Sequence, residues 1–271
     1  MSGTVSPIPA RSLTRGADGL VSDAAELGTV LGIWAHPDDE AFLSAGLMAA
    51  ARDAGHRIVC VTATLGEHGT DDPQRWPPRR LAAVRGHEAQ ASLAALGVTE
   101  HHVLGITDGT CAAAPRDAVV RRLAEIVRAV APDTLVTFGP DGLTGHEDHQ
   151  TVSGWATAAR AAAAPRARLL YATTSEEFVR GWEPARDAFD VFLTDELPLR
   201  TPRSSLAVEL RLGPDLLDRK IVALRAQASQ TTGLIAALGE DRVRDWWSTE
   251  TFVAAERAET RASWTSWRVA A

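Results

Sequence analysis

The feature that most constrains this chain is a repeated alternation. Short apolar, β-branched runs are separated by segments with helical patterning. The runs at 29–35 (TVLGIWA), 57–64 (RIVCVTAT), 101–106 (HHVLGI), 134–138 (TLVTF) and 168–173 (RLLYAT) each read as a strand. Between them lie helix patterns at 39–55, which opens on acids and closes at Gly55, at 79–97, and around Leu123, Ile126, Val127 and Val130, which recur at i, i+3, i+4 and i+7. Another helix opens at 146. Strands alternating with helices of ten or more residues require βαβ crossovers, so the pattern predicts an α/β fold around a mostly parallel sheet covered on both faces. Beyond Tyr171 the rhythm weakens. The run 206–212 reads as a further strand and Leu217, Ile221 and Leu224 mark a helix, but the segment holding Trp246 and Trp247 has no clear assignment.

The 271 residues suit one large α/β domain, and with 45% hydrophobic and 23% charged residues the composition is globular. Residues 1–28 are rich in Ser, Gly, Pro and Ala and read as a loose N-terminal arm, leaving 29–271 as a single domain whose part beyond about 172 shapes the substrate pocket or oligomer contacts. The net charge of −7 removes any general pull toward nucleic acid or an anionic membrane. No run approaches the roughly 18 apolar residues of a membrane span, and the first residues lack a signal-peptide core, so a cytoplasmic protein is expected. The two cysteines, Cys60 and Cys111, exclude a disulfide framework and a thiolate metal site. The sequence leaves the oligomeric state open, a homo-oligomer included.

Ligands of open α/β sheets sit beyond the carboxyl ends of the strands, where the strand order switches. Two polar clusters fall at such ends: Ala35-His36-Pro37-Asp38-Asp39-Glu40 after the first strand and Gly145-His146-Glu147-Asp148-His149-Gln150 after the fourth. A dinucleotide site would place GxGxxG at the first turn. Three acids there would repel phosphate, whereas they suit a cation. A catalytic zinc takes three protein ligands and keeps a position for water. His36 and Asp39, three apart at a tight turn, can aim at one point, and His149 can reach it from the opposite loop. Asp38 is then left beside the metal as a base, and His146 as a donor to developing negative charge. The competing reading is that the acids cap a helix and complement its dipole while the second cluster is a solvated helix start.

AHPDDE together with GHEDHQ resembles the LmbE-like, or PIG-L, family of zinc deacetylases, relatives of which include the deacetylases of mycothiol and bacillithiol biosynthesis. The likeness runs from about Thr29 to Tyr171. It implies a Rossmann-like α/β sandwich and hydrolysis of an N-acyl group, typically acetyl on an amino sugar. It implies that His36, Asp39 and His149 hold one zinc per chain, with iron as a substitute, and that Asp38 is the general base. It further implies that His146 stabilises the oxyanion with Asp148 orienting it. The family's Arg-x-x-Glu element falls on Arg85 and Glu88, with the arginine facing substrate, and its Asp-Gly on Asp108-Gly109, with the aspartate touching sugar hydroxyls. Thr144 stands where some sugar deacetylases carry a tyrosine. The expected partner is a small N-acylated molecule. Two other functions fit the same motifs: an amidase for a larger acyl group, such as a mycothiol S-conjugate, and an inactive metal-binding protein. The latter has no need of Asp38.

Overall fold

The computed structural model describes residues 23–183 and 191–255. A seven-stranded sheet has the order β3-β2-β1-β4-β5-β7-β6. The strands are β1 (Val30–Trp34), β2 (Ile58–Thr62), β3 (Glu100–Val103), β4 (Thr134–Phe138), β5 (Arg168–Thr173), β6 (Val208–Arg211) and β7 (Thr249–Ala254). The first five are parallel, and β7 runs antiparallel to both β5 and β6. Every residue of β1, β2 and β4 is buried, as a sheet covered on both faces demands.

The helices are α1 (Asp39–Asp53), α2 (Pro78–Ala95), α3 (Arg116–Val130), α4 (Glu147–Ala163), α5 (Glu176–Trp182), α6 (Pro214–Ala226), α7 (Ala228–Leu238) and α8 (Glu240–Trp246). Helix α6 packs on α1 and α2, and α3 packs on α4, so the two groups cover opposite faces. This division follows from topology. The chain moves outward from β1 through α1 to β2, and in the opposite direction from β4 through α4 to β5, and right-handed crossovers then put α1 and α4 on opposite sides. The neighbours β1 and β4 therefore flank the switch point, with their following loops parted above it.

The expected alternation, the parallel sheet and the strand at 208–211 are present. Residues 1–22 of the expected arm lie outside the described residues. Its last part belongs to the fold: Asp23 caps a 3-10 turn, Ala24–Leu27, and Ala24 and Leu27 enter the core. The sequence pattern gave no sign of β7. It is a TETFVA segment with two threonines and a glutamate, made possible because Glu250 is neutralised internally, as described below.

Candidate metal and catalytic site

Trp34 and Phe138 end β1 and β4 and meet edge to face, ring centroids 5.0 Å apart, making a rigid floor. His149, on the first turn of α4, lies flat on Phe138 at 4.1 Å. Its Nδ1 is 2.9 Å from the carbonyl of Gly142, which fixes the proton on Nδ1 and leaves the Nε2 lone pair facing the crevice. Burial pushes its pKa down to about 4, so the ring is neutral. His36 is pinned in the reverse sense. Its Nε2 lies 3.0 Å from Asp108 Oδ1 and 3.3 Å from Asp148 Oδ2, so the proton sits there and Nδ1 faces the crevice. Burial would lower its pKa, but these carboxylates outweigh burial and hold it up to about 10.

Nδ1 of His36 and Nε2 of His149 thus face one another at 3.1 Å with their fixed protons turned away. Asp39 completes a triangle, with Oδ1 3.4 Å from His149 Nε2 and Oδ2 3.7 Å from His36 Nδ1. Tetrahedral ligands at zinc distances of about 2.0–2.1 Å are separated by about 3.3 Å. The triangle has that size, and two imidazole nitrogens beside a carboxylate are a donor set for a divalent cation, which would displace the proton that a pKa of about 10 leaves on His36 Nδ1. His146 adds a third ring whose nitrogen lies within 4.8 Å of the other two.

Asp38 has φ +99°, a region that L-residues other than Asn and Asp rarely enter. Glu40 holds the turn, its Oε2 accepting the Asp38 N–H at 3.1 Å. The Asp38 side chain makes no capping hydrogen bond in α1, while Asp39 and Glu40 lie in that helix's first turn, where they complement its dipole. The Asp38 carboxylate instead accepts from Arg85 Nη2 at 3.1 Å. Burial pushes the Asp38 pKa up to about 7, with the Arg85 guanidinium pulling the other way. His146 sits at the N-cap of α4. Its Nδ1 accepts the backbone N–H of Asp148 at 3.1 Å, so a neutral ring carries its proton on Nε2.

With this geometry in view, the comparisons with known proteins become informative. The family model PIG-L, GlcNAc-PI de-N-acetylase, matches residues 31–160. A 1D-myo-inositol 2-acetamido-2-deoxy-alpha-D-glucopyranoside deacetylase of Actinosynnema mirum is 32% identical over 233 residues, covering 74% of this chain and 80% of the relative. The chain belongs to the PIG-L family. A second relative, 1D-myo-inositol 2-acetamido-2-deoxy-alpha-D-glucopyranoside deacetylase 2 of Catenulispora acidiphila, is 35% identical over 152 residues; the match covers 48% of this chain and about half (50%) of the relative's length. The fold agrees with that of N,N'-diacetylchitobiose deacetylase from Pyrococcus horikoshii, TM-score 0.57 with 20% identity, 90% of each chain being covered. It also agrees with that of a 4-carboxy-2-hydroxymuconate hydratase from Pseudomonas putida, TM-score 0.56 with 16% identity, covering 84% of this chain and 96% of that one.

Three residues expected in individual site roles make most of their contacts within the fold. Arg85 is 3% exposed and donates to the carbonyls of Gly66 and Pro37 as well as to Asp38. Gly66 allows this approach, since a Cβ there would lie 2.0 Å from Arg85 Nη1. Its companion Glu88 accepts from the backbone and hydroxyl of Ser229, tying α2 to α7. The two oxygens of Asp108 take His36 Nε2 and the N–H of His68. The carboxylate of Asp148 does not orient His146. It accepts from the amides of Gly109 (2.8 Å) and Cys111 (3.0 Å) and meets His36, while only its backbone N–H touches His146.

Sequence reasoning passed over Phe138, the platform for His149, and Glu40, whose carboxyl holds Asp38 and accepts from Gln227 at 3.0 Å. The first ends a buried strand and the second follows two aspartates, so neither carried a separate signal. Thr144, which replaces the tyrosine of some relatives, lies 3.3 Å from His149 Nδ1.

Proposed function

We propose that this protein is a zinc-dependent N-deacetylase that hydrolyses the acetamide of an N-acetylglucosamine-type amino sugar, with iron as an alternative metal. The observation that carries the reading is the triangle of His36 Nδ1, Asp39 and His149 Nε2, with edges of 3.1–3.7 Å, in which Asp39 and His149 line the same cavity as Asp38. The printed activities of the sugar-deacetylase relatives supply the substrate class. A divalent cation held by the triangle supplies Lewis acidity toward water and the amide carbonyl.

The chain's own residues perform the proton transfers. Asp38, held by Arg85 and clear of the helix cap, takes a proton from water as the oxygen adds to the carbonyl carbon. His146 offers Nε2–H to the carbonyl oxygen as that atom gains charge; a donor of this kind is worth about 3–4 kcal/mol in the transition state. Asp38 then returns the proton to nitrogen as the C–N bond breaks, releasing acetate and a free amine.

Metal content and Asp38→Asn together test the reading. The purified chain should take up about one zinc, and the variant should keep it while losing about 10²–10⁴-fold in turnover of an N-acetylated amino sugar. Normal hydrolysis by the variant removes Asp38 from the base role. Failure to take up any divalent metal removes the site.

A further inference from the structure

A cavity of about 630 Å³ opens beside the metal triangle, reached past Asp38, Asp39 and His149. Its size is that of a pocket for a whole small molecule, typically about 300–1,000 Å³. An acetyl group would fill little of it. Resting on the deacetylase reading above, we propose that this cavity takes a large, uncharged apolar group, aryl or alkyl, on the amine side of the scissile amide. The substrate is then an N-acetylated amino sugar with an apolar aglycone rather than a polyol conjugate.

Three observations support this. First, the wall is a continuous set of aromatic rings. Trp182 lies 5.1 Å from Trp246 and 5.7 Å from Phe192, Trp246 lies 6.1 Å from Trp247, and Trp247 lies 5.3 Å from Phe42 and 6.2 Å from Phe178. These six are close to half of the fourteen Trp and Phe in the chain. All except Trp182 remain part-exposed where they line the cavity, as a binding wall must and a closed core does not. Second, the charge is wrong for an anionic ligand. The one Arg or Lys among the described lining residues, Arg211, is paired with Glu177 and Glu209 at 3.2 Å each, while Asp38, Asp39 and Asp245 add negative charge to the wall. Third, five of the six rings lie beyond residue 160, where the family match ends. The residues expected as metal ligands and base lie inside the segment the family model covers, and most of the aromatic wall lies outside it.

The test uses the zinc-loaded full chain. We would compare kcat/KM for phenyl and octyl glycosides of N-acetylglucosamine with those for free N-acetylglucosamine and its inositol conjugate. N-benzoylglucosamine would probe the acyl side. The apolar glycosides should be favoured about 10- to 100-fold. Trp246→Leu and Phe192→Ala should each shrink that preference, with thermal melts checking that both variants fold. Equal rates, or a preference for the inositol conjugate, overturn the proposal. Hydrolysis confined to the benzoyl compound overturns the amine-side placement. Binding is read separately by quenching of tryptophan fluorescence with the phenyl glycoside. Quenching without hydrolysis would sink the deacetylase reading yet leave the pocket assignment standing, and absence of quenching would sink the pocket.

Discussion

Asp108→Asn separates two roles for one residue. If Asp108 contacts sugar hydroxyls, as the family pattern suggests, the variant should bind metal normally and show a raised KM. The structure places its Oδ1 3.0 Å from His36 Nε2, on the side of the ring opposite the metal triangle. A carboxylate there fixes the tautomer and increases the basicity of Nδ1. Asparagine is nearly isosteric, and its one carbonyl oxygen can still accept the His68 N–H that Asp108 Oδ2 now accepts at 3.0 Å. The amide nitrogen then occupies the Oδ1 position, so both the acceptor for the His36 Nε2–H and the negative charge beside the imidazole are lost. Asp148 Oδ2, 3.3 Å away, retains part of the effect, so the loss should be that of one of two such partners. Removing an outer carboxylate of this kind costs about 10–100-fold in metal affinity, or about 1.4–2.8 kcal/mol. Competition of the apoprotein against a zinc-binding dye reads the affinity directly. At saturating zinc most of the turnover should return. Unchanged zinc affinity with an elevated KM would refute the reasoning and restore the sugar-contact role.

Three further outcomes can be checked. His146→Ala should lower kcat by about 10²–10³-fold with zinc binding intact; His146→Gln, whose amide N–H can reach the position of Nε2–H, should recover part of it in steady-state assays. Asp141 is held up to about 6 by burial, against an ordinary 3.8, with Oδ1 lacking any hydrogen-bond donor. A carboxyl raised in the folded state favours folding at acid pH and loses that advantage as the pH climbs from about 4 through 6. Asp141→Asn should therefore raise the melting temperature at pH 8, by about 1–3 kcal/mol in stability, and change it little near pH 4. Lys220, fully buried, donates to Glu250 at 2.7 Å and to the Phe42 carbonyl at 2.8 Å, while Glu250 accepts the amides of Gly46 and Leu47. Lys220→Met should cost about 3–5 kcal/mol in chemical denaturation by leaving a charge uncompensated, and adding Glu250→Gln should recover part of that.

The legible features of this chain were those written in local pattern. The buried runs at 30–34, 58–62 and 134–138 are short, apolar and bounded by polar turns, so both the strands and the parallel sheet could be read. The two polar clusters had to lie beyond β1 and β4 because strands of a parallel sheet share a direction, and their convergence followed once those two strands were neighbours. Contacts made across the fold were not legible. Asp108 and Asp148 lie 40 residues apart, yet both reach His36 Nε2. Nothing in their spacing says so. Arg85 was expected at the substrate and is buried against a loop 19 residues earlier, where glycine alone leaves room. Strand β7 was hidden because Glu250 breaks its apolar character, and its partner, Lys220, comes from a different helix.

The fold likeness to a hydratase shows how much the sheet leaves undecided. A switch point between β1 and β4 brings two loops together whatever they carry. It fixes where a ligand binds and not what happens to it. In the proposed reaction the chemistry falls to groups only a few ångströms apart: two imidazoles, a carboxylate completing the triangle, and a second carboxylate that makes no capping hydrogen bond in α1. The proposed choice of substrate falls to other residues. Helices α5 and α8 and the turn around Phe192 stand beside β5 and β7, after the segment that the family model recognises. Those later elements can change without disturbing the metal ligands, because none supplies a donor to the triangle. That separation lets one catalytic arrangement serve substrates that differ only in what hangs from the sugar.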